Sequence, residues 1–383
     1  MNELIPLKDN INFKFKLSGF NLLLAVSAIV LSLIYANGVI NFLTHGHHAF
    51  GVTREHPWGF LVAAYEFFVA ISMGSIAIGS AGLFFEIDTI KPLVKRLLIF
   101  GFLSLIAGFS VFLLEIGHPI TMVIYTALSG NPMSALFWLG VFYPLTMLFT
   151  LLTFLSYSKG NSAKFLAMLA LIFANSSILT AGSIFGNINN SPIASGVFYQ
   201  IQFILSGLLG GIFVFTIISS FIHDDEKLTR GILTLKKASI AILSLLLIMY
   251  LVKYITGMYG SMPGKIEAVE HIMNTPKYWL YEVGFGLIIP ILAAVFGSKT
   301  KVGFFNIASF FGLIGLMFSR INVVDITEIA PKQPLMTHMY QTPVSIIKYT
   351  PTFTELSIGL GAIGIFIILL FIAEKVLILD EEH

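Results

Sequence analysis

The chain has 383 residues, 56% of them hydrophobic and only 11% charged, with a net charge of +2 and a mean hydropathy of +0.89. A soluble domain carries about 25% charged residues, so a water-soluble globule is excluded, and no basic patch or aromatic–basic interleaving points to nucleic acid. The absence of cysteine excludes disulfides, thiol catalysis and a cysteine-ligated iron–sulfur cluster within this chain; any such cluster belongs to a partner.

The cationic start "MNELIPLKDNINFKFKLSGF" precedes a long apolar stretch without a small-x-small cleavage site. It reads as a first transmembrane helix and not as a signal peptide. Ten apolar segments predict an all-α polytopic membrane protein, with spans at 18–42, 57–86, 95–116, 134–157, 161–184, 196–222, 235–257, 278–297, 302–321 and 354–379. Of the 22 Lys and Arg, 15 fall at the two termini and in the even-numbered loops. The excess places both termini in the cytoplasm and the odd-numbered loops outside.

The chain also reads as duplicated. "SMGSIAIGS" in the second span matches "SGLLGGIFVF" in the sixth, and "GNPMSALFW" before the fourth matches "MNTPKYWLYE" before the eighth. An offset of four spans preserves direction, so the repeat is parallel, with spans 2–5 set against 6–9.

Polar groups collect at the outward ends. In the second span, Gly59, Ala63, Glu66, Ala70, Gly74, Ala77 and Ala81 share one helical face; in the third, Gly101, Ser104, Gly108 and Glu115 do. Small residues let helices approach closely in lipid, so both stripes are expected to face protein and to carry their carboxylates inward. His56, Trp58, His118, Asn131 and Ser134 sit at the same level, as do Lys253, Tyr254, Tyr278, Glu282, Arg320, Asn322, Asp325 and Glu355. Each has a plainer reading. Asn131–Pro132 can simply start a helix, the tryptophans can be interfacial belt residues, and Glu66 can pair with Arg320 or Lys253. The tract His45, His47, His48 resembles a metal site but lies in a loop, and no metal is assigned to this chain.

No histidine lies mid-span, which disfavours a bis-histidine haem, and no P-loop, dinucleotide fingerprint or nucleophile elbow occurs. An acidic, protein-lined pocket with aromatics suits a quinone. Its carbonyls need hydrogen-bond donors, and its reduction needs protons that a carboxylate can give or take.

At these residues the sequence resembles the NrfD/PsrC family of membrane subunits from polysulfide reductase and related respiratory complexes. The likeness rests on "HPWGFLVAAYEFFVAISMGS", "LEIGHP", "GNPMSALFW", "SRINVV" and "YTPTFTE", and its ten spans are closest to the HybB-like and DsrP-like branch. In relatives the turn often reads Asp-Leu-Gly-Arg-Pro; here it is Glu115-Ile116-Gly117-His118-Pro119, without the arginine. The resemblance implies one membrane domain, 1–383, made of two four-helix bundles (57–184 and 196–321) flanked by 18–42 and 354–379. It further implies no haem, a menaquinone site, an extracytoplasmic iron–sulfur (ferredoxin-like) subunit and a catalytic subunit. Glu115 matches the pocket acid and Glu66 a second pocket position, with His56, Trp58, His118, Asn131 and Ser134 as quinone-binding candidates. Some members link quinone chemistry to proton transfer, for which Lys253, Glu282, Arg320 and Asp325 are candidates by position. Two alternatives stay open: a secondary transporter with a buried acidic site, and a purely structural anchor.

Overall fold

The structure is a computed structural model that describes residues 6–8, 19–54, 56–188, 194, 196–219, 226–259, 265–297, 302–328 and 349–379. Of the basic residues counted above, Lys14, Lys16, Lys299, Lys301, Lys332 and Lys348 lie outside these, as do His223, His338 and His383. Among the described residues ten helices are long and apolar enough to cross a membrane, and no strand occurs beyond an isolated bridge between Leu7 and Leu377. The protein is an all-α integral membrane protein.

The helices are α1 (Gly19–His45), α2 (Phe60–Phe84), α3 (Val94–Glu115), α4 (Pro119–Ser129), α5 (Ala135–Ser158), α6 (Lys164–Gly186), α7 (Phe198–Ser219), α8 (Glu226–Met258) and α9 (Lys265–Met273). They continue as α10 (Lys277–Phe296), α11 (Gly303–Glu328) and α12 (Phe353–Val376). The short α4 and α9, each following an outward-running helix, are not visible in the hydropathy pattern because neither is long enough to span.

α2 is the hub. It packs against α3, α6, α7 and α11, while α5 pairs with α6 and with α3. α7 meets α8 and α11, α10 packs on α8 and α11, and α1 pairs with α12 on the outside of α3 and α2. The small-residue stripes explain these approaches. Ser104 of α3 donates to the Phe68 carbonyl of α2 at 2.8 Å. At the α2–α7 crossing a Cβ on Gly74 would strike the Gly207 carbonyl, and one on Gly211 would come within 2.5 Å of the Ser75 nitrogen. Lipid gives two apolar helices no solvent-driven reason to associate, so such close backbone packing supplies it.

Two spans run longer than the hydropathy pattern suggests. α8 starts at Glu226 instead of 235, because its charged first turns hold a helix in water; Arg230 bonds Glu226 at 2.6 Å, and Leu228, Ile232 and Leu235 bury one face. α11 runs to Glu328 instead of 321. Arg320, Asn322 and Asp325 looked like a polar end, yet Arg320 is 1% exposed and lies two turns inside the helix. Polar residues with partners inside the protein do not end a span.

α3 breaks sharply. Gly117 takes the left-handed conformation (φ +71), His118 stands at the N-cap of α4, and Pro119 fills its first position, where a missing N–H costs nothing. The first twelve residues of α10, Lys277–Ile288, wind as a π-helix around Glu282, a distortion that often accompanies functional sites. α12 opens with a capping box between Thr352 and Glu355. At the opposite face, Lys8 N–H bonds the Val376 carbonyl at 2.9 Å and Ile378 N–H the Pro6 carbonyl at 3.0 Å, while Arg96 pairs with Glu374 at 3.0 Å.

Candidate functional site

Three polar clusters occupy the interior near the Glu115 end of the bundle. The first joins the ends of α2, α3 and α12. Glu355 is fully buried. One carboxylate oxygen accepts from Tyr349 O–H at 2.6 Å. The other accepts from the Gly51 and Thr352 N–H groups at 2.9 and 2.8 Å and from the Thr352 hydroxyl at 3.0 Å. Tyr349 O–H in turn accepts from Phe60 N–H at 2.8 Å. Burial and the adjacent Glu355 carboxylate hold the Tyr349 phenol well above its ordinary pKa. The His56 ring stacks on Tyr349 at 4.7 Å and is 3% exposed, with Nδ1 unbonded. Glu115 faces this group: the Gly59 amide and the Glu355 charge both reach its carboxyl, and its Oε2 is buried without a partner.

The second cluster lies between α2, α3 and α5. Tyr65 O–H donates to Tyr143 O–H at 2.7 Å, and Tyr65 stacks on Phe112 at 4.3 Å. Both phenols lie within electrostatic reach of Glu66, which is 3% exposed with Oε2 unbonded. The cation facing Glu66 is Arg320, without a direct ion pair among the described residues.

Arg320 opens the third cluster, inside α7, α8, α10 and α11. It donates to Gln202 at 3.1 Å and to Ser206 at 2.8 Å, and its guanidinium lies 3.7 Å from the centroid of the Phe203 ring. Gln202 donates to Ser319 at 2.9 Å and to Tyr250 at 3.2 Å. Tyr250 donates to Glu282 at 2.5 Å, and Asn322 reaches the other Glu282 oxygen at 2.5 Å. Nearby, Lys253 donates to the Tyr199 phenol at 2.6 Å. A cavity of about 30 Å³ borders Gln202, Ser206, Tyr250, Glu282 and Ser319 and continues toward Phe213 and Gly312. That is room for about two waters.

The structure therefore brings Glu115 to the Gly59 amide and the Tyr349–Glu355 pair, on whose Tyr349 His56 stacks, and Arg320 together with Glu282 and, across the α2–α11 contact, with Glu66. Glu115 and Glu66 lie in separate clusters. Asp325 is half-buried and pairs with Lys277 at 3.5 Å, with the His56 and His271 rings in electrostatic reach. Trp58 packs edge-on against Phe185, Asn131 accepts from its own loop at Met133 N–H, and His118 and Ser134 make no side-chain cap bond. His47 packs between Phe42 and Phe50, and among the described residues no three His, Asp or Glu converge as metal ligands would. Sequence reasoning did not assign Tyr65, Tyr143, Tyr199, Gln202 or Tyr250. Gln202 carried the usable signal, an amide inside an apolar span; the tyrosines look like belt residues until the packing places them.

Over 391 aligned residues the chain is 25% identical to one of the subunits of selenate reductase from Mesobacillus selenatarsenatis, covering 89% of this chain and 91% of the relative. It is 22% identical to the Hdr-like menaquinol oxidoreductase integral membrane subunit of Archaeoglobus fulgidus, covering 97% and 98%. Residues 49–329 match the family described as polysulphide reductase, NrfD, and this ten-span chain belongs to that family.

Proposed function

We propose that the chain is the haem-free, quinone-reactive membrane subunit of a multi-subunit respiratory oxidoreductase. The observation that carries this reading is the buried, unbonded Glu115 Oε2 beside the Gly59 amide and the Tyr349–Glu355 pair, with the buried His56 ring stacked on the same Tyr349. A quinone ring needs such a set: an acceptor or donor for each oxygen and a carboxyl able to hold a proton. Phe112 and Leu114 supply apolar flanks on the last turns of α3. When bound, menaquinone supplies two-electron, two-proton redox chemistry. Glu115 holds the exchanged proton at Oε2, the Gly59 amide orients that carboxyl, and Tyr349 fixes the plane of His56. Glu355, held by the Tyr349 hydroxyl and the Gly51 and Thr352 amides, anchors residues 349–352.

The relatives' names, one a menaquinol oxidoreductase subunit and the other a reductase subunit, support the quinone and the existence of partner subunits. In this reading electrons pass to or from an extracytoplasmic iron–sulfur subunit that serves a catalytic subunit, and both termini are cytoplasmic. The two groups α2–α3–α5–α6 and α7–α8–α10–α11 are the pseudo-repeated bundles. Glu282 and Arg320, linked through Gln202 and Tyr250, with Lys253 in electrostatic reach of Glu282, form a proton route with Asp325 at its outer mouth.

The deciding experiment is Glu115→Gln in the purified complex. Menaquinol-analogue turnover should fall at least a hundredfold while the complex stays assembled, and normal turnover would remove the pocket. Purification from native membranes should also bring down a cluster-bearing protein; a chain that purifies alone and moves solute across vesicles would be a transporter.

A further inference from the structure

α4 is eleven residues long, PITMVIYTALS, without a single charge. Ile120, Val123, Ile124, Tyr125 and Leu128 are 50–76% exposed, and Met133 just beyond is 92% exposed. This is a contiguous apolar surface outside the ten spans. A soluble helix with that composition all round would not persist in water.

Its level in the bundle identifies what covers it. Thr126 of α4 lies against Gly140 of α5, where a Cβ would meet its methyl at 3.3 Å. Gly140 sits about one turn outward of Tyr143, and Tyr143 bonds Tyr65, which stacks on Phe112 in the last turn of α3. α4 is thus held beside the ends of the spans and does not project away from them. Its neighbours at that level, Leu113 of α3 and Leu136 of α5, are 46% and 44% exposed and belong to the apolar belt of spanning helices. Trp138, whose indole donates to the Pro132 carbonyl at 2.8 Å, stands at the same level with 39% of its surface exposed, as an interfacial anchor does. α9, which occupies the corresponding place after α8, differs: it buries Val269 and Ile272 and carries Lys265, Glu267, Glu270 and His271 in its sequence.

We propose that α4 is an interfacial helix embedded in the headgroup–acyl boundary of one leaflet, and that its occupant is lipid and not a partner subunit. The apolar exposure of Leu113 on α3 and Leu136 on α5 recurs on α4 at the same level, with the polar His118 and Asn131 exposed at its two ends where headgroups and water begin.

The test uses the natural lack of cysteine. Single variants Ile120→Cys, Val123→Cys, Ile124→Cys, Leu128→Cys and Met133→Cys carry a nitroxide label in liposomes of phosphatidylethanolamine and phosphatidylglycerol, in the full chain alone and in the assembled complex. Expected are collision rates with oxygen at least fivefold above those with a water-soluble nickel chelate, alike in both preparations. Labels reached mainly by the chelate, or labels open in the lone chain but shielded from both reagents in the complex, would overturn the assignment. Arg54→Cys, on an exposed loop residue, calibrates the aqueous limit. The result is independent of whether Glu115 binds quinone.

Discussion

Replacing Arg320 with glutamine tests the electrical link between α11 and Glu66 of α2. The change removes two donors, at 3.1 Å from Gln202 and 2.8 Å from Ser206, and the cation that faces Glu66. Ser206 keeps a bond to the Phe203 carbonyl, so most of the loss falls on Gln202 and on Glu66. Breaking one side of a buried charge pair costs about 3–5 kcal/mol. The direct electrical part is separable. Charges a little beyond ion-pair range, about 5–8 Å apart, interact by about 2–3 kcal/mol at an effective dielectric near 20. A double-mutant cycle of Glu66→Gln and Arg320→Gln should therefore show a coupling of about 2–3 kcal/mol, and the double variant should be more stable than Arg320→Gln alone. Unfolding in mixed micelles, followed by tryptophan fluorescence and extrapolated to zero denaturant, gives each corner. Additivity within about 0.5 kcal/mol would refute the reasoning, since it would mean that Glu66 and Arg320 do not sense one another.

Glu282→Gln can keep both bonds, its oxygen facing Asn322 and its N–H facing Tyr250, so it should cost about 1 kcal/mol and assemble, with proton movement in vesicles falling at least tenfold; unchanged proton movement removes Glu282 from the route. Glu282→Leu strands the Asn322 amide and should cost about 2–4 kcal/mol, seen as loss of monodisperse protein. Tyr349→Phe should lower stability by about 1–3 kcal/mol at neutral pH by removing the hydroxyl between Phe60 N–H and Glu355. Because folding raises the Tyr349 pKa, the wild-type advantage is full below the unfolded value near 10 and shrinks by about 1.4 kcal/mol per pH unit above it; an advantage constant to pH 11.5 would contradict the buried phenol. Gly74→Val drives a side chain into the Gly207 carbonyl, a backbone clash costing about 3 kcal/mol or more, and an unchanged thermal midpoint would show a looser crossing.

Much of the architecture was legible because lipid enforces it. Each span needs about 20 apolar residues, so ten spans could be counted, and the stripes containing Gly74 and Ser104 announced which faces meet protein. What stayed hidden depends on pairs of side chains far apart in sequence. Nothing local tells that Tyr65 meets Tyr143 or that Gln202 meets both Arg320 and Ser319. The inward direction of Glu66 and Glu115 followed from their small-residue neighbours, but their division into two clusters did not: Glu115 meets Gly59 at the N-cap of α2, while Glu66 lies about two turns deeper on the same helix, and only the partner helices show what each faces. Asn131 and His118 drew attention as polar residues at the right level, yet both are exposed in the loops around α4, a helix that hydropathy windows are too wide to find.

On our proposal that the two groups of helices are repeats, one scaffold holds two different polar loads. Trp138 donates to the Pro132 carbonyl and Trp279 to the Met273 carbonyl, six residues back in each case, so α5 and α10 start with the same closure. The offset that lays Gly74 on Gly210 also lays Glu66 on Gln202. At that shared register one half carries a carboxylate with an unbonded oxygen, and the other an amide engaged at both ends. The amide ties Arg320 to Ser319 and Tyr250, while the guanidinium, its Nε buried and unbonded, makes no direct ion pair among the described residues and senses Glu66 more strongly than Glu282. That charge therefore acts across the α2–α11 contact on Glu66, and any change in the charge of Glu66 acts back on the guanidinium and, through Gln202 and Tyr250, on Glu282. A neutral residue at 66 would leave the two polar clusters as strangers in one membrane.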